Sequence, residues 1–348
     1  MGKPQLLYGA YDTGPSNYGL DVISYAQRKL NWGVKYIGNN ATYADVYGMS
    51  FDYAIVGGPS SFENNLDAMI LTVSPIKNKS VYVLGDSPGS VLRPGIKGFV
   101  DGVTAIVALP SDIAPAKNFG YKDAVWLGYP SHWGNLATTK PSDIFTRGEC
   151  PIADVRVFVC GLKEAEITDN MLASVIHGME TLDSSWMIYF QAHPSEIATT
   201  QNLDRRAKLI AHPRVYELKT RENIASLMMV MYLTVCTGGS TAILDGAFLR
   251  LPVLYYLDAK VMDYMKKQVN DEIWRLVTAG ACEITLPSLM SFELQRLLVA
   301  GSVSDGARKY LRWKQKAAFP TQPAEMNTVA DVLAYIQNPA GYIPFAKR

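Results

Sequence analysis

Cysteine, net charge and long apolar runs are all scarce in this 348-residue sequence. Its four cysteines form no CxxC or Cys/His spacing, which indicates reduced thiols and not a zinc site or a disulfide framework. The 33 Lys and Arg residues nearly cancel the 32 Asp and Glu residues, which argues against the strongly basic surface of nucleic-acid-binding proteins but leaves a local basic groove open. No stretch approaches the roughly 20 apolar residues of a membrane-spanning helix, so we predict no transmembrane segment.

The first residues also lack the features of a secretion signal. Met1 to Gln5 lead directly into a strand-like run, without the basic, apolar and small-residue order of a leader peptide. We therefore expect a cytoplasmic protein.

The length and composition are those of a globular protein with two domains. With 48% apolar and 19% charged residues, the chain can bury two cores, each in a domain of about 150 residues. No glycine, proline or charged tract is extreme enough to indicate collagen, coiled coil or disorder.

Short β-rich runs alternate with helix-like stretches in the first part of the chain. We predict strands at 6–10, 34–37, 53–56, 81–84, 105–108 and 125–127, an amphipathic helix at 16–30 and a helix-permissive stretch at 60–72. This alternation is typical of parallel strands joined by crossover helices. It predicts a doubly wound α/β sheet.

A turn-rich stretch without periodicity, from 128 to 152, precedes a second alternation. Here we predict strands at 155–160, 186–191, 215–218, 232–236 and 253–256, and helices at 168–182, 196–208, 222–229 and 240–249. The remainder is mainly helical, with a short apolar run at 282–286 and a last helix at 328–336. The chain is thus predicted to form two Rossmann-like domains that face a cleft, at 1–145 and 146–325, with residues 326–348 packing back on the first.

Ligands of open parallel sheets bind at the carboxyl ends of the strands, where loops lead into helix N-termini. The strongest candidate is the turn after the strand at 232–236, with Thr237, Gly238, Gly239, Ser240 and Thr241, and with Asp245 one turn into the next helix. Glycines let the backbone approach a ligand, and the two hydroxyl residues next to the helix can cap it. This pattern suits a diphosphate, with the carboxylate reaching a ribose or sugar hydroxyl. The alternative is an ordinary capped glycine turn.

The segment from Thr237 to Ala247, closed by Arg250-Leu251-Pro252-Val253-Leu254, resembles the donor-site segment of glycosyltransferase-B (GT-B) proteins. In that segment a Gly/Ser-rich turn precedes an acidic-Ala pair and a Gly/Lys-Pro-Val strand. The resemblance spans residues 155–256. It implies the GT-B fold, with an acceptor domain at 1–145 and a nucleotide-donor domain at 146–325. It also implies phosphate contacts from Ser240 and Thr241 and a donor contact from Asp245.

Two upstream loops carry the same resemblance. Gln191-Ala192-His193-Pro194-Ser195 is similar to the His-Pro-Ser segment of CDP-glycerol and polysialic-acid type transferases, and Lys163 lies in the loop after the first strand of the second domain. In the family these loops also face the donor, which implies His193 and Lys163 as phosphate ligands. For His193 the alternative is a capping or packing histidine.

Two features depart from the family pattern. The pair Gly238-Gly239 is closer to the Ser-Gly-Gly of the non-hydrolysing UDP-N-acetylglucosamine 2-epimerases, and Asp245 replaces the usual glutamate with a shorter side chain. The donor and the reaction therefore stay open between a transferase and a sugar-nucleotide epimerase.

Polar loops after the strands of the first domain offer candidates for a catalytic base. Asp12 follows the first strand, where GT-B proteins often place the acceptor or the base, and Asp86 in a Gly-Asp-Ser turn is its rival. For Asp12 the alternative is a turn and helix cap. Further acceptor or cleft candidates are Thr13, Ser16, His132 and Arg93, the last of which could hold Asp86 or a substrate anion.

These features predict an enzyme that transfers a sugar or related group from a nucleotide-activated donor to an acceptor hydroxyl. No DxD-like pair follows a strand and no His/Asp/Glu ligand cluster is visible, so we predict no metal and no cofactor besides the nucleotide-sugar substrate. The alternatives are a non-hydrolysing 2-epimerase and a non-catalytic nucleotide-binding protein of the same fold. The acceptor is open between a glycan, a lipid-linked intermediate, a small molecule and a modified nucleic-acid base, and the sequence does not specify an oligomeric state.

Overall fold

The computed structural model places the chain in two compact units. It describes residues 2–10, 13–37, 40–57, 65–85, 89–93, 96–128, 130–182, 185–194, 196–267, 277, 280–299, 302–318 and 327–343. The N-terminal unit comprises Met1–Ala137 together with Pro323–Arg348, and the C-terminal unit comprises Thr138–Gln322. The limits that the sequence predicts for an acceptor domain and a donor domain, at 145 and 325, stay predictions.

The N-terminal unit is built on a six-stranded parallel sheet in the order β2-β1-β3-β4-β5-β6. Its strands are β1 (Gln5–Gly9), β2 (Gly33–Ile37), β3 (Tyr53–Gly57), β4 (Ser80–Leu84), β5 (Thr104–Val107) and β6 (Asp123–Trp126). Each predicted run forms a strand within two residues of its predicted limits. These strands were recognisable because the central ones are buried on both faces, as in β4, and so have nearly continuous apolar sequence.

Helices pack on both faces of this sheet. The helices in this part of the chain are α1 (Thr13–Lys29), α2 (Tyr43–Gly48), α3 (Asn65–Ile76), α4 (Ile113–Phe119) and α5 (Pro130–Thr138), and residues of the first four lie in the buried clusters. One buried apolar cluster joins Leu7 of the sheet to Ile70 of α3, and a second joins Tyr8 to Val22 of α1. Because successive residues of a strand point to opposite faces, the two clusters lie on opposite sides of the sheet.

The last helix of the chain, Val329–Gln337, belongs to the N-terminal unit. Its residues Leu333 and Ile336 are buried in the same cluster as Tyr8. The hydroxyl group of Tyr82 donates to the carbonyl oxygen of Ile336 at 3.2 Å. The carboxyl end of the chain thus contributes to the core of the unit in which the chain begins.

The C-terminal unit contains a second six-stranded parallel sheet, in the order β12-β11-β10-β7-β8-β9. Its strands are β7 (Val155–Cys160), β8 (Trp186–Gln191), β9 (Val215–Glu217), β10 (Leu233–Cys236), β11 (Val253–Tyr256) and β12 (Glu283–Thr285). The apolar run at 282–286 supplies the edge strand β12, which pairs with β11. Its pairing joins residues about 30 positions apart, so local sequence did not reveal it.

Seven helices of the described chain belong to this unit. They are α6 (Ala165–Met179), α7 (Thr200–Ile210), α8 (Ile224–Met228), α9 (Ala242–Leu249), α10 (Ala259–Lys267), α11 (Met290–Leu298) and α12 (Ser302–Ala318). The helix Val329–Gln337 of the N-terminal unit is α13. Within the ranges that the structure describes, no helix combines the length and the apolar character needed to cross a membrane.

Two local predictions were wrong. The helix predicted at 196–208 begins only at Thr200, because Thr199 and Asn202 cap it reciprocally, and Ile197 instead pairs with Glu164 in an isolated bridge. The turn-rich stretch after 128 contains helix α5, which has Pro130 at its first position, where proline is favoured. The first difference matters for function, because it leaves a loop directly after β8.

Candidate functional site

The loop after β10 begins with a turn that favours glycine. Gly238 has a φ of +57°, in the left-handed region, and a Cβ added there would lie 2.7 Å from a methyl carbon of Leu162. Gly238 is buried, whereas Gly239 is exposed. The chain therefore turns tightly over Leu162 and brings the backbone of residues 239–241 to the surface.

The hydroxyl groups in this turn have unequal roles. Thr237 is fully buried, and its Oγ1 donates to the carbonyl oxygen of Tyr256 at 2.6 Å, which ties the end of β10 to the end of β11. Ser240 Oγ accepts from the N–H of Ala242 at 3.3 Å, and Thr241 is exposed without a side-chain capping bond. The side chain of Thr237 is therefore structural, and Ser240 and Thr241 carry the hydroxyl groups that a ligand could reach.

Three consecutive backbone N–H groups precede helix α9. Those of Gly239, Ser240 and Thr241 have no hydrogen-bond acceptor among the residues that the structure describes. The N-terminus of a helix carries a partial positive charge, and unsatisfied N–H groups there bind anions. The turn therefore offers an anion several donors in a favourable field.

Gly161 lets the loop after β7 lie directly against the loop after β8. A Cβ at Gly161 would approach both Gln191 O and His193 N to 3.0 Å, and the N–H of Gly161 donates to Gln191 O at 2.9 Å. Further along, the N–H of Ile197 donates to Lys163 O at 2.7 Å. Because these contacts join main chains, the backbones that carry Lys163 and His193 are held side by side.

A buried ion-pair network anchors the loop that carries His193. The guanidinium of Arg206, in α7, donates to the Asp169 carboxylate and, at 3.0 Å, to Glu196 Oε1, and it lies 4.7 Å from the centre of the Phe190 ring. Burial raises the pKa of Asp169, and the hydrogen bond from Arg206 opposes that shift. Glu196 follows His193 by three residues, so Arg206 fastens this loop to the body of the unit.

Arg221 is a cation at this site that was not predicted from the sequence. Gln191 Nε2 donates to Glu222 O at 3.2 Å, and the N–H of Glu222 donates to Gln191 Oε1 at 3.1 Å, which ties the segment after β9 to the end of β8. Arg221 is thereby brought near His193. Burial lowers the pKa of His193, and the charges of Arg221 and Lys163 lower it further. The available signal was position, because Arg221 follows β9 by four residues.

The charge of Arg221 also acts on a thiol that contacts the glycine turn. The thiol of Cys160, at the end of β7, is buried, and burial raises its pKa to about 12, while a hydrogen bond with Ser240 and the charge of Arg221 both oppose this rise. The pKa of the Cys160 thiol is therefore affected both by Ser240 in the turn and by the charge of Arg221. Within the described parts of the chain, no group of three or more His, Cys, Asp or Glu residues could hold a metal ion.

Asp245 lies beneath the turn and is only 4% exposed. Its N–H donates to Thr241 O at 3.0 Å in the first turn of α9. Burial raises the pKa of the Cys160 and Cys236 thiols, and the charge of Asp245 adds to this effect, so both thiols stay protonated at neutral pH. A contact from Asp245 to a ribose or sugar hydroxyl stays a prediction.

The candidates from the N-terminal unit are described only in part. Asp12 and Asp86, the two candidate bases, lie outside the described residues. The others are Thr13 and Ser16 in the first turn of α1, whose side chains also lie outside the description, half-buried His132 in α5, and half-buried Arg93 after a short 3-10 helix. Their roles stay predictions.

Comparison with known proteins identifies the fold. No protein-family model and no curated protein matches the chain. Solved structures do match. Staphylococcus aureus MnaA with UDP has a TM-score of 0.62 at 11% identity and covers 97% of this chain and 98% of its own. The Methanocaldococcus jannaschii UDP-GlcNAc 2-epimerase in complex with UDP-GlcNAc and UDP has a TM-score of 0.53 at 14% identity, over 89% and 98%. The glycosyltransferase SnogD from Streptomyces nogalater has 0.51 at 13% identity, over 96% and 99%.

The chain therefore has the GT-B fold, with two Rossmann-like units that each contain a six-stranded parallel sheet. The fold that the resemblance of residues 155–256 implied is confirmed. An epimerase and a glycosyltransferase both share this fold, so the choice between the two reactions rests on the site.

Proposed function

We propose that the C-terminal unit binds the diphosphate of a nucleotide-activated sugar at the carboxyl edge of its sheet. The observation that carries this proposal is the grouping of cations beside the turn at 237–241. The backbones that carry Lys163 and His193 adjoin, Gly238 packs against Leu162 next to Lys163, and the charge of Arg221 acts on His193. A nucleotide sugar carries negative charge on both phosphates, which such cations and helix N–H groups neutralise. Bound UDP in solved structures of the same fold supports this class of ligand.

We propose sugar transfer to an acceptor hydroxyl as the reaction. The bond from the anomeric carbon to the diphosphate oxygen breaks as the bond to the acceptor oxygen forms, so negative charge develops on the leaving diphosphate. Lys163, Arg221 and the N–H groups of residues 239–241 would stabilise that charge without a metal ion or a further cofactor. His193 would donate a hydrogen bond to a phosphate oxygen. Asp12 and Asp86 remain the candidates for the base that accepts the acceptor's proton.

A sugar-nucleotide 2-epimerase is the second candidate. The pair Gly238-Gly239 favours it, because this turn is closer to the Ser-Gly-Gly of that class than to the usual transferase turn. Such an enzyme would use no acceptor and would return a changed sugar on the same nucleotide.

A thermal-shift panel tests the donor site. The full chain is melted with UDP, CDP, GDP, their sugar conjugates, CMP and inorganic phosphate, because a ligand that binds only the folded state raises Tm by mass action. We expect one nucleoside diphosphate and its sugar conjugate to raise Tm, and the same ligands to raise it less in Lys163→Gln. A cooperative melting transition that no nucleotide moves would overturn the proposal.

Product analysis then separates the reactions. With the selected nucleotide sugar alone, a 2-epimerase yields a new sugar nucleotide, whereas a transferase releases nucleoside diphosphate only when an acceptor is added. Binding of the nucleotide sugar with neither product, across glycan, lipid-linked, small-molecule and nucleic-acid acceptors, would indicate a non-catalytic protein and contradict both candidates.

Nucleotide-sugar affinity should rise as the pH falls through the titration of His193. Burial, together with the charges of Arg221 and Lys163, holds the pKa of His193 in the free protein below its ordinary value of 6.5. A bound diphosphate would favour the imidazolium and raise this pKa. The affinity should therefore increase between the pKa of the bound state and the lower pKa of the free state, by at most about tenfold per pH unit. Calorimetric titration over a pH series measures this slope, with a sugar conjugate chosen because its phosphates do not titrate in this range.

His193→Gln is the control for that experiment, because glutamine keeps an N–H donor but does not titrate. We expect its affinity to be flat over the same pH range. Folding stability should depend on pH in the opposite direction from ligand affinity, because the folded free protein favours the neutral imidazole. The stability that His193 contributes is complete above pH 6.5 and is lost as the pH falls from there to the folded-state pKa. An affinity of the parent protein that does not change with pH would show that His193 does not protonate on binding.

A further inference from the structure

Helix α12 presents a basic and aromatic face to solvent. Its exposed side chains include Lys309, Tyr310, Arg312, Trp313 and Lys316. Residues three and four apart are neighbours on a helix surface, so Trp313 has Lys309 and Lys316 on one side and Tyr310 on the other. We call these five residues the α12 face.

The opposite side of α12 is fixed to the C-terminal unit. Leu311 and Gln315 are buried, and Gln315 Nε2 donates to Leu251 O at 2.9 Å and to Ala281 O at 3.2 Å. Arg250 Nη1 in turn donates to Gln315 O at 2.9 Å. These bonds hold the helix in one rotation about its axis, so the α12 face has a defined outward orientation.

The charge of this helix is unbalanced. Its sequence contains five cations and one acid. Arg308 pairs with Asp305 at 2.8 Å, and Lys314 pairs with Glu283 at 3.2 Å. The three cations of the α12 face form no ion pair with any residue in the described ranges. The face therefore presents uncompensated positive charge although the whole chain is nearly neutral.

Two large rings lie among these cations. Tyr310 is 53% exposed and Trp313 is 63% exposed. The rings stack with centroids 5.9 Å apart, and Lys314 Nζ lies 5.3 Å from the centre of the Tyr310 ring. Tyr310 thus already stacks on Trp313 and has a cation near its ring, so it is less available to stack on a nucleic-acid base. Rings with an apolar body and a polar edge are instead favoured at the boundary between water and lipid.

We propose that the α12 face binds an anionic lipid surface. Lys and Arg on the polar flank of a helix attract acidic headgroups, while Trp and Tyr enter the headgroup region. A single-stranded nucleic acid normally follows a basic groove, and one face of a helix offers none. Lipid binding at this face does not depend on the proposed nucleotide site.

Vesicle sedimentation with the full chain tests this proposal. The vesicles are either pure phosphatidylcholine or an equal mixture of phosphatidylcholine and phosphatidylglycerol. We expect the protein to sediment with the mixture and not with phosphatidylcholine alone. Replacing Lys309, Arg312 and Lys316 together by glutamine should lower the partition coefficient about 100-fold, from about fivefold per cation at the surface. Trp313→Ala, which leaves the charge unchanged, should also weaken binding.

The matched control is the triple variant Lys140→Gln, Lys208→Gln and Lys219→Gln, which removes three exposed cations elsewhere in the same unit. We expect it to bind the vesicles about as well as the parent chain. The proposal is overturned by absence of sedimentation with the anionic vesicles, or by equal losses in the two triple variants. It is also overturned if the α12 triple variant loses binding to a single-stranded oligonucleotide while vesicles are not bound at all. Melting curves of all variants should coincide, because none of the changed side chains is buried.

Discussion

Arg221→Gln should bind the nucleotide sugar selected by the thermal-shift panel about 10- to 150-fold more weakly than the parent chain, the range expected for loss of one charge-assisted hydrogen bond. Arg221 is exposed, forms no ion pair with any residue that the structure describes, and lies close enough to His193 and Cys160 to shift the pKa of each. It is therefore a cation available to a ligand at the same edge as the turn at 237–241. Calorimetric titration measures the change in Kd.

Two further variants define what the Arg221 result means. Lys219→Gln removes another exposed cation two residues away, and it should change the affinity by less than about twofold, as expected for an exposed charge that does not contact the ligand. Arg221→Lys keeps the charge but loses the planar fork, so it should recover part of the affinity. Equal losses in Lys219→Gln and Arg221→Gln would mean that only the general field of the surface matters. An unchanged Kd in Arg221→Gln would remove this residue from the site.

Arg206→Ala should lower the free energy of unfolding by about 3–5 kcal/mol, the range for removing one partner of a buried ion pair. Arg206 is 6% exposed, and without it the carboxylates of Asp169 and Glu196 would lose the guanidinium that pairs with both, while Arg205 acts on Asp169 only through its charge. The contact with the Phe190 ring would be lost as well. Urea denaturation measures the effect as a lower midpoint at constant m-value.

Arg205→Ala is the control for this prediction, because Arg205 is the exposed neighbour on the same helix. It forms no ion pair in the described ranges and acts on Asp169 only through its charge. It should change stability by less than about 0.5 kcal/mol. Combining Arg206→Met with Asp169→Asn and Glu196→Gln should recover much of the loss, since no buried charge then remains unpaired. A loss below about 1 kcal/mol in Arg206→Ala would show that the network does not hold this part of the unit together.

Arg206→Ala also tests the link from the Arg206–Asp169–Glu196 network to the candidate site. Glu196 lies in the loop that carries His193, and the N–H of Ile197 in that loop donates to Lys163 O. Loss of Arg206 should therefore speed hydrogen exchange at Ile197 and weaken nucleotide binding even in molecules that remain folded. Arg206 would then act by positioning His193 and Lys163 and not by contacting the ligand.

Much of the fold could be predicted from local sequence. Strands such as Val155–Cys160 and Val253–Tyr256 are buried, and a parallel strand buried on both faces has a nearly continuous apolar sequence. The turn at Gly238 was equally visible, because a left-handed backbone conformation favours glycine. The late start of α7 also had a local signal, the capping pair Thr199 and Asn202, which was overlooked.

Other features could not be predicted because they depend on contacts between distant parts of the chain. Thr237 carries a hydroxyl group that could bind a phosphate. In the structure that hydroxyl instead donates to the carbonyl oxygen of Tyr256, at the end of the neighbouring strand. The role of Gly161 depends on the backbone at Gln191, which a single sequence does not place beside it. Likewise, Arg221 reaches the site only through the reciprocal bonds that join the segment after β9 to β8.

The sequence by itself determined the α/β class, the limits of most strands and the position of the glycine turn, because burial periodicity and turn chemistry are local properties. Only the tertiary structure decided that β12 completes the second sheet, that Arg221 joins Lys163 and His193 at one edge, and that the α12 face points outward. The physical reason is that strand pairing and helix packing join residues far apart in the chain, and no local pattern records which partners they select.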